Sequence, residues 1–339
     1  MVYIRADANN EIATGHILRC SAIAEAFVEE GNEISFIVAD EYGGELVSKL
    51  GYPCFVLGSD YKDMEGELAT LKSIIGQYSS ELLLVDSYYV TDKYFKNLKD
   101  ITRTAYIDDY LGYYLSCDIV INYDLDVARD YYRDYTSEMR FLLGGRYTPL
   151  RKQFRNVRGK QINDIVSEML ILTGGSDHFH VVYNICKALL SSIDKFDGCI
   201  VNIVCGQYNA DYNRILEITR NYSRFRAFKV IDEIDLFMKR ADVCVSAGGT
   251  TTKELAACGT PTITFSVANN QLENVKSLDR AGMMKYFGDV RDISFSYNGL
   301  IEELILLCED KERRIRESRL LQKTIDGLGA VRIARELIK

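Results

Sequence analysis

The segment RADANNEIATGHILRC, residues 5–20, sets His16 directly after a glycine, where a strand gives way to a helix, and His16 is one of only three histidines in the chain. An imidazole at a helix N-terminus feels the positive end of the dipole, which favours the neutral ring that a general base must be. Arg5, Asp7 and Gly15 of the same motif stand with it as candidate substrate contacts. A second run, LLLVDSYYV, carries Asp86, Ser87 and Tyr88 to the end of a strand, and YIDDY does the same for Asp108 and Asp109. Aspartates at strand ends often only start turns. The convergence of His16, Asp7, Asp86 and Tyr88 on one edge of one sheet is what singles them out.

A different chemistry is written in VCVSAGGTTTKELAACGTP, residues 243–261. A buried strand runs into Gly248 and Gly249, and Thr250 opens a helix. Glycines let a diphosphate approach the backbone, and the free amides and dipole of the helix suit its charge. No Lys-Ser or Lys-Thr follows the glycines, so this is not a nucleoside-triphosphate loop. Glu254, one turn into the helix, is placed to accept the hydroxyls of a ribose, or is a solvated acid favoured by the dipole. LILTGGSD repeats a glycine pair, Gly174 and Gly175, which is either a second phosphate approach or a tight turn with Ser176 or Asp177 capping the next helix. Asn269, Asn270 and Gln271 follow another strand, where their amides suit a sugar's hydroxyl or N-acetyl groups or serve as a cap. His178 and His180 have no other ligand spacing around them and read as non-functional.

These residues need strands and helices in alternation. VYIRA, ISFIVA, CFVLG, ELLLVD, TAYIDD and CDIVINY are short apolar runs separated by helical patterns, which implies a parallel sheet covered on both faces. After a charged, linker-like stretch at 149–166 the alternation restarts and runs to PTITFSV. The fold class is therefore α/β, with two doubly wound domains, 1–155 and 156–339, whose strand carboxyl ends face one another across a cleft. Ligands bind at that end of an open parallel sheet. The last helices, broken at DGLG, are expected to return to the first domain.

The 339 residues suit two domains, and 47% hydrophobic with 27% charged residues is the balance of a water-soluble globular chain. A formal net charge of -8 argues against a nucleic-acid partner, which requires a basic face. The apolar runs are too short to cross a bilayer, and no basic leader precedes the first strand, so neither a membrane span nor a signal peptide is expected. Nine cysteines without a C-x-x-C pair read as buried thiols in a reducing cytoplasm. No metal and no cofactor is expected.

With RADANNEIATGHILRC, LLLVDSYYV, YIDDY, CDIVIN, LLGGRYTPLRKQF, LILTGGSD, SAGGTTTKELAACGTPTITFSVANNQ and IDGLGAVRI in this order, the chain resembles, along nearly its whole length, the UDP-sugar hydrolases of pseudaminic acid biosynthesis. These remove UDP from UDP-2,4-diacetamido-2,4,6-trideoxy-β-L-altropyranose, and spore-coat polysaccharide proteins look similar. The resemblance implies a two-domain GT-B architecture, similar to the N-acetylglucosaminyltransferase of peptidoglycan precursor synthesis. It implies UDP held by Gly248, Gly249, Thr250 and Glu254 with uracil near residues 230–237, pyrophosphate flanked by Gly174 and Gly175, and sugar reached by Asn270 and Gln271. His16 would match the catalytic histidine and Tyr88 the tyrosine of an Asp-His-Tyr element, with Asp86 beside them. The chain departs from the family at Ser87, where histidine is usual, at Ala13, where glycine is common, and after Asp109, where LGYYLS replaces the usual Asn, Arg and His residues.

On this reading His16 takes a proton from water attacking the anomeric carbon, with inversion and without a metal, and the UDP-sugar is the partner. Two rivals stand beside it: a glycosyltransferase in which His16 activates an acceptor hydroxyl, and a non-catalytic UDP-sugar binding protein.

Overall fold

The computed structural model describes residues 1–339 other than 10, 78–79, 109–115, 128, 133–138, 156 and 176. Asp109, Ser176 and the replaced stretch at 111–115 therefore lie outside the described residues. The chain forms two compact units, Met1–Lys152 with Gly327–Lys339, and Gln153–Asp326. Only the final helix, and not the one before it, belongs to the first unit.

The first unit is built on strands β1 (Val2–Ala6), β2 (Ile34–Val38), β3 (Cys54–Val56), β4 (Leu82–Asp86), β5 (Arg103–Ile107), β6 (Ile119–Asn122) and β7 (Arg140–Leu143). All pair in parallel, in the order β3-β2-β1-β4-β5-β6-β7. β1, β2, β4 and β6 are buried at every position, which is why they read as unbroken apolar runs. Helices α1 (Gly15–Glu29), α2 (Glu41–Lys49), α3 (Leu68–Gln77) and α4 (Asp92–Lys96) connect the earlier strands. α1 packs Ile17, Cys20, Ile23 and Phe27 into a core that also takes Ala330, Ile333, Ala334 and Leu337 from the terminal helix, Gly329–Leu337. Those four recur at helical spacing, so the last helix has one apolar stripe and α1 covers it.

The second unit repeats the plan with β8 (Glu168–Leu172), β9 (Ile200–Val204), β10 (Phe225–Phe228), β11 (Val243–Ala247), β12 (Thr262–Ser266) and β13 (Lys285–Asp289), in the order β10-β9-β8-β11-β12-β13. Its helices are α5 (Val181–Ser191), α6 (Tyr212–Thr219), α7 (Ile234–Arg240), α8 (Thr251–Cys258), α9 (Asn269–Arg280), α10 (Tyr297–Glu309) and α11 (Lys311–Thr324). Both sheets reverse direction once, between β1 and β4 and between β8 and β11. At such a reversal the flanking loops splay apart and leave a crevice at the strand carboxyl ends. No described helix is long and apolar enough to cross a membrane.

Candidate functional site

In the first unit, the connections after β1 and β4 border the crevice, and they carry His16 and Asp86. His16 occupies the first turn of α1, 4% exposed, with Nδ1 2.6 Å from Asp86 Oδ1. A carboxylate only accepts, so Nδ1 carries the proton and donates, and this contact assigns the tautomer. Nε2 is left as the acceptor of the ring. Arg19, one turn further along α1, donates to both oxygens of Asp86 and through Nη1 to the Tyr123 hydroxyl at 2.8 Å. Its Nη2 also lies 3.1 Å from His16 Nδ1, but both atoms are donors, so this is two groups converging on one oxygen and not a hydrogen bond. Burial would lift the Asp86 carboxyl. The charge of Arg19, with the hydrogen bonds from Arg19 and His16, outweighs burial and holds it well below the usual carboxylate range. The Tyr88 ring stands edge-on to the imidazole, 4.6 Å between centroids and 44% exposed, so one side of His16 has an aromatic wall open to solvent.

The other residues of the motif serve the frame. Arg5, expected at the substrate, is wholly buried: it pairs bidentately with Glu67 at 2.8 and 2.7 Å and approaches Asp7 at 2.6 Å, an ion pair without hydrogen-bond geometry. It has no surface to offer a ligand. Asp7 Oδ1 accepts the Ala39 amide at 2.7 Å, while its Oδ2 is buried without a hydrogen-bond partner among the described residues. Gly15 opens α1 with free space where a side chain would stand. Ser87 is buried and its hydroxyl accepts the Tyr89 amide at 3.2 Å, so this residue forms a turn. Ala13 adopts φ +57°, a left-handed conformation that glycine takes without strain. Asp108 accepts the Tyr132 hydroxyl at 2.8 Å and stays inside the fold.

In the second unit the two glycine pairs flank the crevice between β8 and β11. A Cβ on Gly248 would stand 2.2 Å from Val275 Cγ1, so only glycine lets β11 pass under α9 at this point. Asn274 Nδ2 fixes the turn by donating to the Gly248 carbonyl at 3.0 Å and to Thr252 Oγ1 at 2.9 Å. Exposed Thr250 stands at the entrance of α8 as its N-cap, and its side chain makes no capping hydrogen bond. The Thr252 and Lys253 amides bond back to the Gly249 and Thr250 carbonyls at 3.1 and 2.9 Å, so α8 presents its positive dipole end and the amides ahead of Thr252 beside Gly249. Glu254 lies half-buried in the first turn of this helix.

The start of α5 differs. Asp177, buried, accepts the amides of Val181 and Val182 at 2.8 and 2.9 Å, so the donors of that helix are already taken by a carboxylate. The helix after Gly248–Gly249 has no such carboxylate at its start among the described residues. Gly174, at φ +92°, and Gly175 instead pack against Gly206 after β9: a Cβ there would lie 2.3 Å from the Gly174 carbonyl oxygen. Gln271 Oε1 accepts the Val267 amide at 3.0 Å as a cap, with its Nε2 beside Gly249. Asn269 holds Arg291 at 2.7 Å, and Asn270 is exposed in the first turn of α9. Val230 and Leu236, in the segment expected near uracil, are exposed.

Sequence reasoning passed over Arg19, Gly206 and Asn274. Arg19 was within reach, three residues after His16 on the same helical face. Asn274 lies in α9 and reaches across β12 to the start of α8, so it gives no local signal. Among the described residues, no group of three or more His, Cys, Asp or Glu side chains is placed to hold a metal ion.

Residues 169–326 match the glycosyltransferase family 28 C-terminal domain. The chain is 24% identical over 275 residues to the uncharacterized protein MJ1062 of Methanocaldococcus jannaschii, covering 77% of this chain and 54% of that protein. It is 24% identical over 279 residues to the pseudaminic acid cytidylyltransferase and UDP-2,4-diacetamido-2,4,6-trideoxy-beta-L-altropyranose hydrolase of Helicobacter pylori, covering 80% of this chain and 45% of that protein. The chain thus spans about half the length of these curated relatives. The crystal structure of Acinetobacter baumannii MurG superimposes with a TM-score of 0.72 at 14% identity, covering 99% of this chain and 98% of that one. The two parallel-sheet α/β units are of the GT-B glycosyltransferase type.

Proposed function

We propose that this protein is a hydrolase of a UDP-linked diacetamido-trideoxy sugar, acting in surface polysaccharide or pseudaminic acid-like biosynthesis. The observation that carries the proposal is the imidazole of His16, with Nδ1 committed to Asp86 and Nε2 free to accept. In this reading Nε2 takes a proton from water as its oxygen bonds to the anomeric carbon. The bond from that carbon to the UDP oxygen breaks, its electrons leave with UDP, and the configuration inverts. Asp86 positions the ring and stabilises the imidazolium that forms, the division of labour of an aspartate–histidine pair. Tyr88 orients the nucleophile or sugar. The N-terminal end of α8 binds the charge of UDP, Glu254 takes the ribose, and Asn270 and Gln271 take the sugar. The family motifs and the match to the Helicobacter protein support water as the acceptor.

A second reading, a glycosyltransferase, is favoured by the family 28 match over residues 169–326. One experiment tests both: a panel of UDP-sugars is incubated with the protein and no acceptor, and free UDP and free sugar are scored by mass spectrometry. Stoichiometric release of both supports the hydrolase. UDP release that appears only once an acceptor is added overturns it in favour of transfer. Free cysteines, most of them buried, suit the reducing cytoplasm that we assign to it.

A further inference from the structure

Two groups able to carry positive charge meet on one carboxylate. Asp86 Oδ1 accepts from His16 Nδ1 at 2.6 Å and from Arg19 Nη2, and those two nitrogens stand 3.1 Å apart. Arg19 Nε holds the other oxygen, which also lies 3.5 Å from Cys20 Sγ. His16 and Asp86 are buried and the Arg19 side chain is mostly so, and water screens charges in such a place little. A guanidinium does not give up its proton in a protein, and its planar fork matches a carboxylate. Arg19 and Asp86 together are therefore neutral, and a neutral ring beside them completes a neutral site. An imidazolium would bring a second cation to within 3.1 Å of the first, with one carboxylate to share between them.

Resting on the reading that His16 is the general base, we propose that Arg19 is a positioning residue that keeps this base available. By taking up the charge of Asp86, it keeps the ring neutral at a pH where a buried aspartate–histidine pair alone would keep it charged. In the pair alone the carboxylate favours the imidazolium, as an opposite charge within about 4–6 Å does. With Arg19 in place Asp86 still fixes the tautomer. The proton that Nε2 takes from the nucleophile passes to solvent water once UDP has left, and the site is reset. Arg19 thus separates two effects of one carboxylate, orienting the ring and raising its affinity for protons. The other groups that face the ring and Arg19 come from three elements. They are Cys20 on α1, the Tyr88 ring after β4 at 4.6 Å, and the Tyr123 hydroxyl after β6, which accepts from Arg19 Nη1 at 2.8 Å. A phenol or a thiol is ordinarily uncharged near neutral pH, so of these groups only Asp86 and Arg19 bring charge to the ring.

The test is NMR titration of the imidazole signals in native protein, Arg19→Gln, Arg19→Met and Arg19→Lys, beside the pH profile of UDP release. The chain has three histidines, and the His16 signal is the one missing in His16→Asn. Glutamine keeps a donor for Asp86 without the charge, methionine keeps neither, and lysine keeps the charge without the fork. In Arg19→Gln and Arg19→Met the His16 midpoint should rise by about 1 pH unit or more above that of native protein. The acid limb of kcat/KM, which reports the free enzyme's base, should rise with it, so that release at pH 6 falls about tenfold or more while release above pH 8 changes little. Arg19→Lys should keep the native midpoint. An unchanged midpoint in the neutral variants overturns the inference, as does an equal rise in Arg19→Lys. A loss of UDP release that is the same at every pH, with the midpoint fixed, overturns it too and marks a structural role. The NMR titration needs no substrate, so the two readings fail separately. A midpoint that rises without a matching move of the acid limb upholds the charge balance and removes His16 as the base.

Discussion

What His16 can do is decided at its other nitrogen. Nδ1 is spent on Asp86, and Asp86 is neutralised in turn by Arg19, so a buried carboxylate stays ionised and the imidazole is held in one tautomer. Asp86→Asn should lower turnover on the order of 10³, because an amide no longer enforces that tautomer, and steady-state UDP release checks it. Tyr88→Phe keeps the ring beside His16 and should cost less, about tenfold or under. The depressed pKa of Asp86 also has a consequence for stability. Its folded value lies below its unfolded one, so its contribution is fully present above about pH 4 and is lost as pH falls through the folded value. Urea unfolding followed from pH 6 downward should therefore show a steeper acid loss in native protein than in Asp86→Asn. The positions of His16 and Asp86 were legible because strand ends are visible in a sequence. The burial of Arg5 was not, since its partner Glu67 lies 62 residues away and only the folded chain brings them together.

At the level of elements, short strands buried on both faces made the β/α alternation readable. The helix ends were harder to read, because whether a carboxylate or open amides occupy them depends on side-chain direction. LILTGGSD and VSAGGTTT look alike as strings, yet the Asp177 carboxylate fills one helix start, while among the described residues no side chain fills the other. Gly248→Ala should destabilise by about 1–3 kcal/mol through overpacking against Val275 and weaken UDP binding with it, which thermal unfolding and calorimetry would show together. Ala13→Gly should do the reverse for stability. Relief of a left-handed alanine is worth about 1–2 kcal/mol against about 0.5–1 kcal/mol for the freedom glycine adds to the unfolded chain, so a small net gain is expected. In α11, burial pushes the Glu317 carboxyl up to about 7 against the pull of Arg313. A raised acid binds its proton more tightly in the folded state, so stability should decline as pH rises from about 4.3 to about 7 and then level off. Glu317→Gln should flatten that decline.

For the whole molecule, two units of one topology each place their chemistry-bearing residues at the single reversal of strand order. Tandem domains followed from the restart of the alternation, while the return of the terminal helix to the first unit depends on an apolar stripe that packs against α1. In the proposed reaction α8 stabilises the leaving group with backbone amides, so UDP release should persist in excess chelator. Abolition by chelator with rescue by Mg²⁺ would contradict that assignment. The central claim is that His16 activates the nucleophile while UDP is held by other residues. The most direct measurement pairs UDP release from the preferred UDP-sugar with UDP affinity, on folded His16→Asn and native protein side by side. Turnover should fall about 10² to 10⁴-fold with affinity for UDP unchanged. Near-native turnover in His16→Asn, or a parallel loss of turnover and affinity, would contradict it.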